Sequence, residues 1–279
     1  MKLKELPKSL ALSWKLSRMS SEQMSGVSRA KADNCIVSFT SIPSRLSILH
    51  LTVRSLLCQT LCPEKIVLWL HQSLENEIPA AVSRLLSDKF EIRYSEETCA
   101  HRKLVESHRL FASKVIVTCD DDVMYPPNWL EKLWAEHQMH PDDVIANECR
   151  HVRYDAEGCA LPYWEWKGVS AGESSPYTLA IGYSGVLYPP GCLHPDVAQR
   201  ELYDVLAPRA DDLWFKAMSL RVKTRTRRAN VPAEKPTPIA FSQRYSLKHS
   251  NVRSDGNLVQ WQALDARYSL KQLMELQSR

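Results

Sequence analysis

The sequence has few glycines and lacks the common glycine-rich phosphate-binding loops. Only eight of its 279 residues are glycine, and neither GxxxxGK[ST] nor GxGxxG occurs, which argues against phosphate binding by such a loop. No stretch approaches the roughly 18 uninterrupted apolar residues that span a bilayer. Lys15 and Arg18 interrupt the apolar N-terminal segment, and no small-residue cleavage site follows, which argues against a secretory signal.

Paired cysteines are also missing. The eight cysteines are scattered without a CxxC pair, and several lie in apolar runs where they resemble small core residues. Cys58 and Cys62 have no second pair to complete a zinc site. This usage suits a reducing compartment, so we predict a cytoplasmic protein.

Positive charge is concentrated at the N-terminus. Residues 1–32 carry seven basic and two acidic side chains, a net charge of +5, while the whole chain has +4. We therefore divide the chain into a basic leader, 1–33, and one domain, 34–279. The leader is either a flexible terminus or a peripheral helix on an anionic membrane surface, touching lipid through Leu10, Leu12, Trp14 and Leu16.

Apolar runs and helical periodicity alternate from residue 35 onwards. Strands are predicted at 35–40, 65–70, 90–94 and 114–119, with helices between them at 45–59, 78–87 and 101–112. The less regular second half has predicted helices at 126–138, 207–220 and near 257–276, strands at 143–148 and 221–228, and a loop-rich region at 150–180. This predicts an α/β fold with a mostly parallel sheet and helices on both faces.

Three consecutive carboxylates, Asp120, Asp121 and Asp122, follow the fourth predicted strand. They repel one another unless a cation lies among them. On an extended segment Asp120 and Asp122 point the same way and Asp121 the other, which gives a hard oxygen site for Mg²⁺ or Mn²⁺. The alternative is an acidic turn that caps a helix.

Other charged residues are expected near these acids. Arg45, Arg102 and Lys103 fall at the same sheet edge, where they neutralise phosphates or remain solvated surface charges. Asp211 and Asp212 begin a later helix, a position the helix dipole favours. A carboxylate there also suits a general base that deprotonates an acceptor hydroxyl.

Four motifs in order resemble bacterial glycosyltransferases of the GT-A fold, particularly family-2-like enzymes of surface-polysaccharide assembly. They are "VSFTSIPSR" (37–45), "CDDDVMYPPNWL" (119–130), "GYSGVLYPP" (182–190) and "ADDLWF" (210–215). The resemblance covers roughly residues 34–262. It implies a Rossmann-like GT-A domain that moves sugar from a nucleotide donor, with UDP-sugars favoured, to a glycan or lipid-linked saccharide, with inversion.

The resemblance also implies roles for individual residues. Asp120 and Asp122 would occupy the DxD positions and hold Mn²⁺ or Mg²⁺, and His249 would be a further metal ligand or an ordinary surface histidine. Asp211 or Asp212 would be the catalytic base. Contacts with the nucleotide sugar are implied for Thr40, Pro43, Arg45, Lys103, Asp120, Asp121, Ser184 and Gly185.

Three alternatives remain open. A metal-dependent nucleotidyl- or phosphotransferase could use the same acids, although "TSIPSRL" is not the phosphate loop such enzymes usually carry. A non-catalytic carbohydrate-binding protein could stack sugars on Tyr163, Trp164 and Trp166, but both acidic clusters would be unexplained. Nucleic-acid binding through "RVKTRTRR" is disfavoured, because alternation splits its cations between two faces and the protein body is near neutral.

Overall fold

The apolar runs form an α/β fold in the computed structural model, which describes residues 3–25, 29–240, 242 and 255–278. The strands in these parts of the chain are β1 (Ala30–Thr40), β2 (Leu61–His71), β3 (Phe90–Ser95), β4 (Val115–Thr118), β5 (Val123–Met124), β6 (Val144–Ala146), β7 (Cys149–His151), β8 (Lys167–Gly168), β9 (Ser174–Ser175), β10 (Thr178–Ala180), β11 (Val186–Tyr188), β12 (Thr226–Arg228) and β13 (Thr237–Pro238).

The α-helices in the same ranges are α1 (Leu6–Ser17), α2 (Ser21–Ser25), α3 (Leu49–Leu57), α4 (Ala80–Ser83), α5 (Arg102–Leu110), α6 (Trp129–Met139), α7 (Arg200–Leu206), α8 (Asp211–Arg221), α9 (Gly256–Tyr268) and α10 (Leu270–Gln277). Helix α8 is buried along residues 213–220, which are apolar except for Lys216 and Ser219. A helix of this kind belongs in the interior rather than at the surface.

The central sheet has the strand order β3-β2-β1-β4-β11-β6-β12-β9. Strands β3, β2, β1 and β4 are mutually parallel, and β12 is parallel to β6. Strand β11 lies antiparallel between β4 and β6. The predicted α/β class with a mostly parallel sheet is therefore confirmed.

Helices cover the sheet on both faces. One core contains Leu49 and Leu56 of α3 and Leu133 of α6, packed with residues from β1, β2 and β4. The other core contains Leu104 of α5 and Trp214 of α8. The strands between these layers are buried on both sides, which explains their nearly uninterrupted apolar sequences.

Two small sheets extend the fold around the carboxyl edge of the central sheet. Strands β10, β7 and β8 form a three-stranded sheet within the region predicted to be loop-rich. Strand β13 pairs with β5, so Pro238 lies opposite Val123, directly after the acidic triplet.

Three predicted elements differ from the structure. The strand expected at 221–228 is limited to β12, because α8 continues to Arg221. The helix expected near 257–276 is two helices, since Ser269 adopts φ 54° between α9 and α10. The segment predicted as the helix 78–87 contains only the short helix α4.

Candidate active site

Four chain segments meet at the carboxyl edge of the sheet. They are the turn Pro43–Arg45 after β1, the acidic triplet after β4, the start of α5 and the start of α8. Side-chain contacts join all four segments. Ligands of open α/β sheets bind at this edge, where the sequence placed the acids.

Arg45 neutralises two of the three consecutive aspartates. Its Nη1 donates to Asp121 Oδ1 at 2.5 Å, and its Nη2 lies 3.1 Å from Asp122 Oδ2. Ser41 Oγ donates to the other oxygen of Asp121. The expected alternation of the triplet does not apply, because β4 ends at Thr118 and a bend follows at 121–122.

Lys103 joins the two acidic clusters. Its Nζ lies 3.0 Å from Asp120 Oδ1 and 3.0 Å from Asp211 Oδ2, so the two oxygens are no more than twice that distance apart. Burial opposes the charge of Lys103, but Asp120 and Asp211 raise its pKa well above the ordinary lysine value. Lys103 is therefore a fixed cation, and with Arg45 it explains how the crowded carboxylates coexist.

The two aspartates that begin α8 differ in environment. Burial, followed by the neighbouring Asp211, raises the pKa of Asp212 to about 7. Although burial raises the pKa of Asp211, Lys103 and His101 lower it further, so its net shift is downward. A base with a pKa near the working pH is the more effective catalyst, so the environment favours Asp212.

Gly182 holds Asp212 in place. The Gly182 N–H donates to Asp212 Oδ2 at 3.0 Å. A Cβ at position 182 would lie 2.7 Å from Asp212 Oδ1 and 3.5 Å from Lys103 Nζ. The close approach of backbone, carboxylate and ammonium therefore requires glycine.

Asp120 and Asp122 carry the carboxylate oxygens that a divalent cation such as Mg²⁺ prefers. Burial and the charge of Asp120 raise the pKa of Asp122 to about 7 despite Arg45, so further positive charge would be favourable there. Among the described residues, no group of three or more His, Cys, Asp or Glu could hold a metal ion. The described residues therefore do not form a complete metal site by themselves. Mg²⁺, however, commonly binds through one or two carboxylates plus substrate phosphates.

Sequence reasoning did not single out Tyr125 or Ser41. The Tyr125 hydroxyl accepts from Asp120 N at 2.8 Å and donates to the Tyr183 carbonyl at 3.0 Å. It thereby ties the acidic triplet to the loop that carries Gly182. The sequence shows Tyr125 close to the acidic triplet, five residues after Asp120. It does not show that the Tyr125 hydroxyl also bonds to the Tyr183 carbonyl.

Thr40 and Pro43 lie at the rim of the site. The Thr40 hydroxyl donates to Trp69 O and accepts from Arg102 Nε, so Arg102 fixes the end of β1. Pro43 is exposed at the start of its turn. Both lie where nucleotide contacts are predicted, and those contacts stay predictions.

Ser184 and Gly185 are buried behind the site. The Ser184 carbonyl accepts from Trp129 Nε1 at 2.8 Å and Asn147 Nδ2 at 3.0 Å. Gly185 has φ 95°, and a Cβ there would lie 2.4 Å from Trp129 Nε1. These contacts shape the loop, while a role in sugar binding stays a prediction. His249 lies outside the described residues.

The fold and the joined acidic clusters define an α/β enzyme of the GT-A type. The family model described as glycosyl transferase family 2 matches residues 40–184, just over half of the chain. The chain therefore belongs to glycosyltransferase family 2. A search of curated proteins finds no match.

Two solved structures are similar to this chain. The first is 4-diphosphocytidyl-2C-methyl-D-erythritol synthase from Anaerococcus prevotii DSM 20548, with 9% identity, a TM-score of 0.49 and coverage of 80% of this chain and 96% of that one. The second is CMP:2-keto-3-deoxy-manno-octonic acid synthetase complexed with CTP, with 15% identity, a TM-score of 0.40 and coverage of 74% and 91% respectively.

Proposed function

We propose that this protein is a metal-dependent, inverting glycosyltransferase. It moves a sugar from a nucleotide donor, with UDP-sugars favoured, to a hydroxyl of a glycan or lipid-linked saccharide. The observation that carries the proposal is the contact of Lys103 with both Asp120 and Asp211 at the carboxyl edge of the sheet. It joins the acidic triplet to the start of α8, where Asp211 and the candidate base Asp212 lie, within a glycosyltransferase family 2 chain.

The donor side of the site is the acidic triplet with Arg45. Asp120 and Asp122 would hold Mn²⁺ or Mg²⁺, which as a Lewis acid stabilises the negative charge that develops on the leaving diphosphate. Asp121 is 4% exposed and accepts from Arg45 and Ser41. Its contribution is to orient Arg45 beside the diphosphate rather than to bind the cation.

Lys103 supplies a second positive charge to the donor. Its raised pKa keeps the ammonium charged over the physiological pH range. A charged group fixed before the reaction stabilises developing negative charge without a reorganisation cost. Lys103 and Arg45 together neutralise the phosphates of the donor. In many nucleotide-binding proteins a glycine-rich loop does this, but the sequence contains neither GxxxxGK[ST] nor GxGxxG.

Asp212 is the proposed general base. The acceptor oxygen attacks the anomeric carbon, and the bond to the diphosphate oxygen breaks with its electron pair leaving on that oxygen. The hydroxyl proton passes to Asp212, whose pKa of about 7 suits the transfer. Asp211 remains ionised against Lys103 and holds that lysine toward Asp120.

We also infer a cytoplasmic enzyme of surface-polysaccharide assembly, with residues 34–279 as the catalytic domain and 1–33 as a basic leader whose residues from Ala30 onwards already belong to β1. All eight cysteines are free thiols in the structure, and Cys35, Cys119 and Cys149 are fully or almost fully buried. This pattern supports a reducing compartment.

A donor screen tests the proposal. Purified protein is incubated with UDP-, GDP- and CMP-sugars, with Mn²⁺ or with EDTA, and release of the free nucleotide is measured. We expect turnover with a UDP-sugar that requires Mn²⁺ and falls about 100-fold in Asp122→Asn. The matched control Asp142→Asn, at an exposed acidic residue, should behave as wild type.

Two results would contradict the proposal. Pyrophosphate release from a nucleoside triphosphate and a sugar phosphate, with nucleotide sugars inert, would identify a nucleotidyltransferase. Saccharide binding without turnover of any donor would identify a carbohydrate-binding protein.

A further inference from the structure

The outward face of α1 carries an apolar stripe. Pro7, Leu10, Ala11 and Trp14 are all exposed and follow one another at helical spacing. Leu10 is 51% exposed and Trp14 is 61% exposed. Two large apolar side chains on the same exposed face of one short helix suggest that the face has a partner.

Basic side chains surround this stripe. Lys4, Lys8, Lys15 and Arg18 are exposed, and the Arg18 guanidinium lies 4.4 Å from the centre of the Trp14 ring. Glu5 is the one acidic residue between positions 3 and 20. The face is therefore both apolar and strongly positive.

The opposite face of α1 is already packed on the protein. Leu16 is 4% exposed and lies in a cluster with Leu51, Met124 and Ile239. Ser9 Oγ donates to Pro238 O at 2.7 Å, and Arg54 Nη1 donates to Leu16 O at 3.1 Å. These contacts fix the rotation of the helix, so the apolar stripe faces outward in the folded protein.

We propose that this outward face, Lys4 to Arg18, binds an anionic lipid surface. Helices that lie in the membrane interface combine Trp and Leu on one side with Lys and Arg that reach lipid headgroups. Each basic residue near an anionic surface contributes about 1 kcal/mol of attraction. No described helix is long and apolar enough to cross a membrane.

Packing and hydrogen bonds connect α1 to the acidic triplet. Met124, two residues after Asp122, packs against α1, with Ser13 Oγ 3.6 Å from its sulfur. Ile239 from the same cluster donates its N–H to the Asp122 carbonyl at 2.9 Å. If the proposed function holds, docking through α1 would set the active site at a fixed position relative to a lipid-linked acceptor.

Vesicle co-sedimentation of the full chain tests the lipid proposal without any substrate. Vesicles of phosphatidylcholine alone are compared with vesicles that also contain phosphatidylglycerol. We expect binding to the anionic vesicles that weakens as salt is added. Leu10→Ala with Trp14→Ala should lower the partition coefficient about tenfold, and Lys8→Glu with Lys15→Glu at least about thirtyfold.

The matched control is Trp164→Ala, which removes a tryptophan that is 60% exposed elsewhere on the surface and should leave binding unchanged. Circular dichroism melts check that each variant is folded. Equal binding to neutral and anionic vesicles, wild-type binding by both double variants, or no sedimentation of the wild type would each overturn the proposal. Since the readout needs no sugar transfer, it stands or falls separately from the proposed function.

Discussion

The Nζ atom of Lys103 lies 3.0 Å from Oδ2 of Asp211, and this contact joins the first turn of α5 to the first turn of α8. Lys103 lies within the part of the chain that the family model matches, residues 40–184, whereas Asp211 lies beyond it. The candidate site is therefore completed by a segment outside the matched region.

Lys103→Met should destabilise the protein strongly. The lysine side chain is 6% exposed and faces Asp120 and Asp211, and removing one partner of a buried ion pair leaves an uncompensated charge. We expect a loss of about 3 kcal/mol in the free energy of unfolding, measured by urea denaturation. Lys65→Met is the control, because Lys65 pairs with Glu91 with its side chain 32% exposed and should cost less than about 1 kcal/mol. Equal losses in both variants would contradict the assigned role of Lys103.

Asp122→Asn should change how stability depends on pH in metal-free buffer. The pKa of Asp122 rises from 3.8 to about 7 on folding, so the folded state holds this proton more tightly than the unfolded state. That stabilising contribution is present below about pH 4 and is lost as the pH rises through about 7. Relative to wild type, Asp122→Asn should therefore gain stability as the pH rises from about 4 to about 7, the range over which the loss occurs, by up to about 4 kcal/mol.

Melting temperatures of both proteins across this pH range, in EDTA, measure the difference and cancel titrations that they share. Asp142→Asn, at an exposed position, should differ from wild type by the same small amount at every pH. A constant gap for Asp122→Asn would show that Asp122 does not titrate near neutrality.

Added Mn²⁺ should stabilise the wild type and not Asp122→Asn. A ligand that binds only the folded state raises the melting temperature with its concentration, and the wild-type carboxylates provide the proposed site. The measurement is a melting curve at pH 8 with increasing Mn²⁺ and a nucleoside diphosphate. An equal rise in both proteins would place the cation elsewhere.

Asp212→Asn and Asp211→Asn should separate catalysis from positioning. Loss of the base should lower kcat by about 100-fold or more for Asp212→Asn, with nucleotide affinity nearly unchanged. For wild type, kcat/KM should fall as the pH drops below about 7, because protonated Asp212 accepts no proton. Asp211→Asn should instead weaken nucleotide binding, since Lys103 loses one of its two carboxylates. Similar mild effects on kcat in both variants would exclude a base at either position.

Gly182→Ala should impair the reaction more than it impairs folding. The new Cβ would lie 2.7 Å from Asp212 Oδ1, so the carboxylate must move away from its hydrogen bond. Gly168→Ala is the control, because a Cβ there meets nothing within 4 Å. We expect a fall in kcat of about tenfold or more for Gly182→Ala alone, since a small misplacement of a catalytic group is costly. Unchanged kcat would mean that Asp212 need not occupy its present position.

The fold was largely predictable because its central strands are buried on both faces. Residues 66–70 of β2 and 115–117 of β4 are continuously apolar, and α3 between β1 and β2 carries apolar residues at helical spacing. The expected strand at 221–228 was misleading, because its first residue still belongs to α8. The local sequence pattern alone did not show that α8 ends at Arg221 and that β12 begins only at Thr226.

The acids of the site were predictable, but their partners were only partly so. An acidic triplet after a buried strand marks the carboxyl edge, and Arg45 and Lys103 were expected nearby. The sequence offered no means of pairing Lys103 with Asp211, or Tyr125 with the Tyr183 carbonyl. Such contacts depend on how the two halves of the sheet pack, and local periodicity does not encode that packing.

The packing of α1 over Leu51, Met124 and Ile239 also affects how this protein should be handled in solution. A shortened chain starting at β1 would retain the family-matched region but leave these three side chains without their cover. The exposed patch adjoins the short pairing of β5 with β13, and such surfaces promote self-association in water. The N-terminal helix would thus keep this patch covered in the isolated protein, and shortened chains should begin before α1.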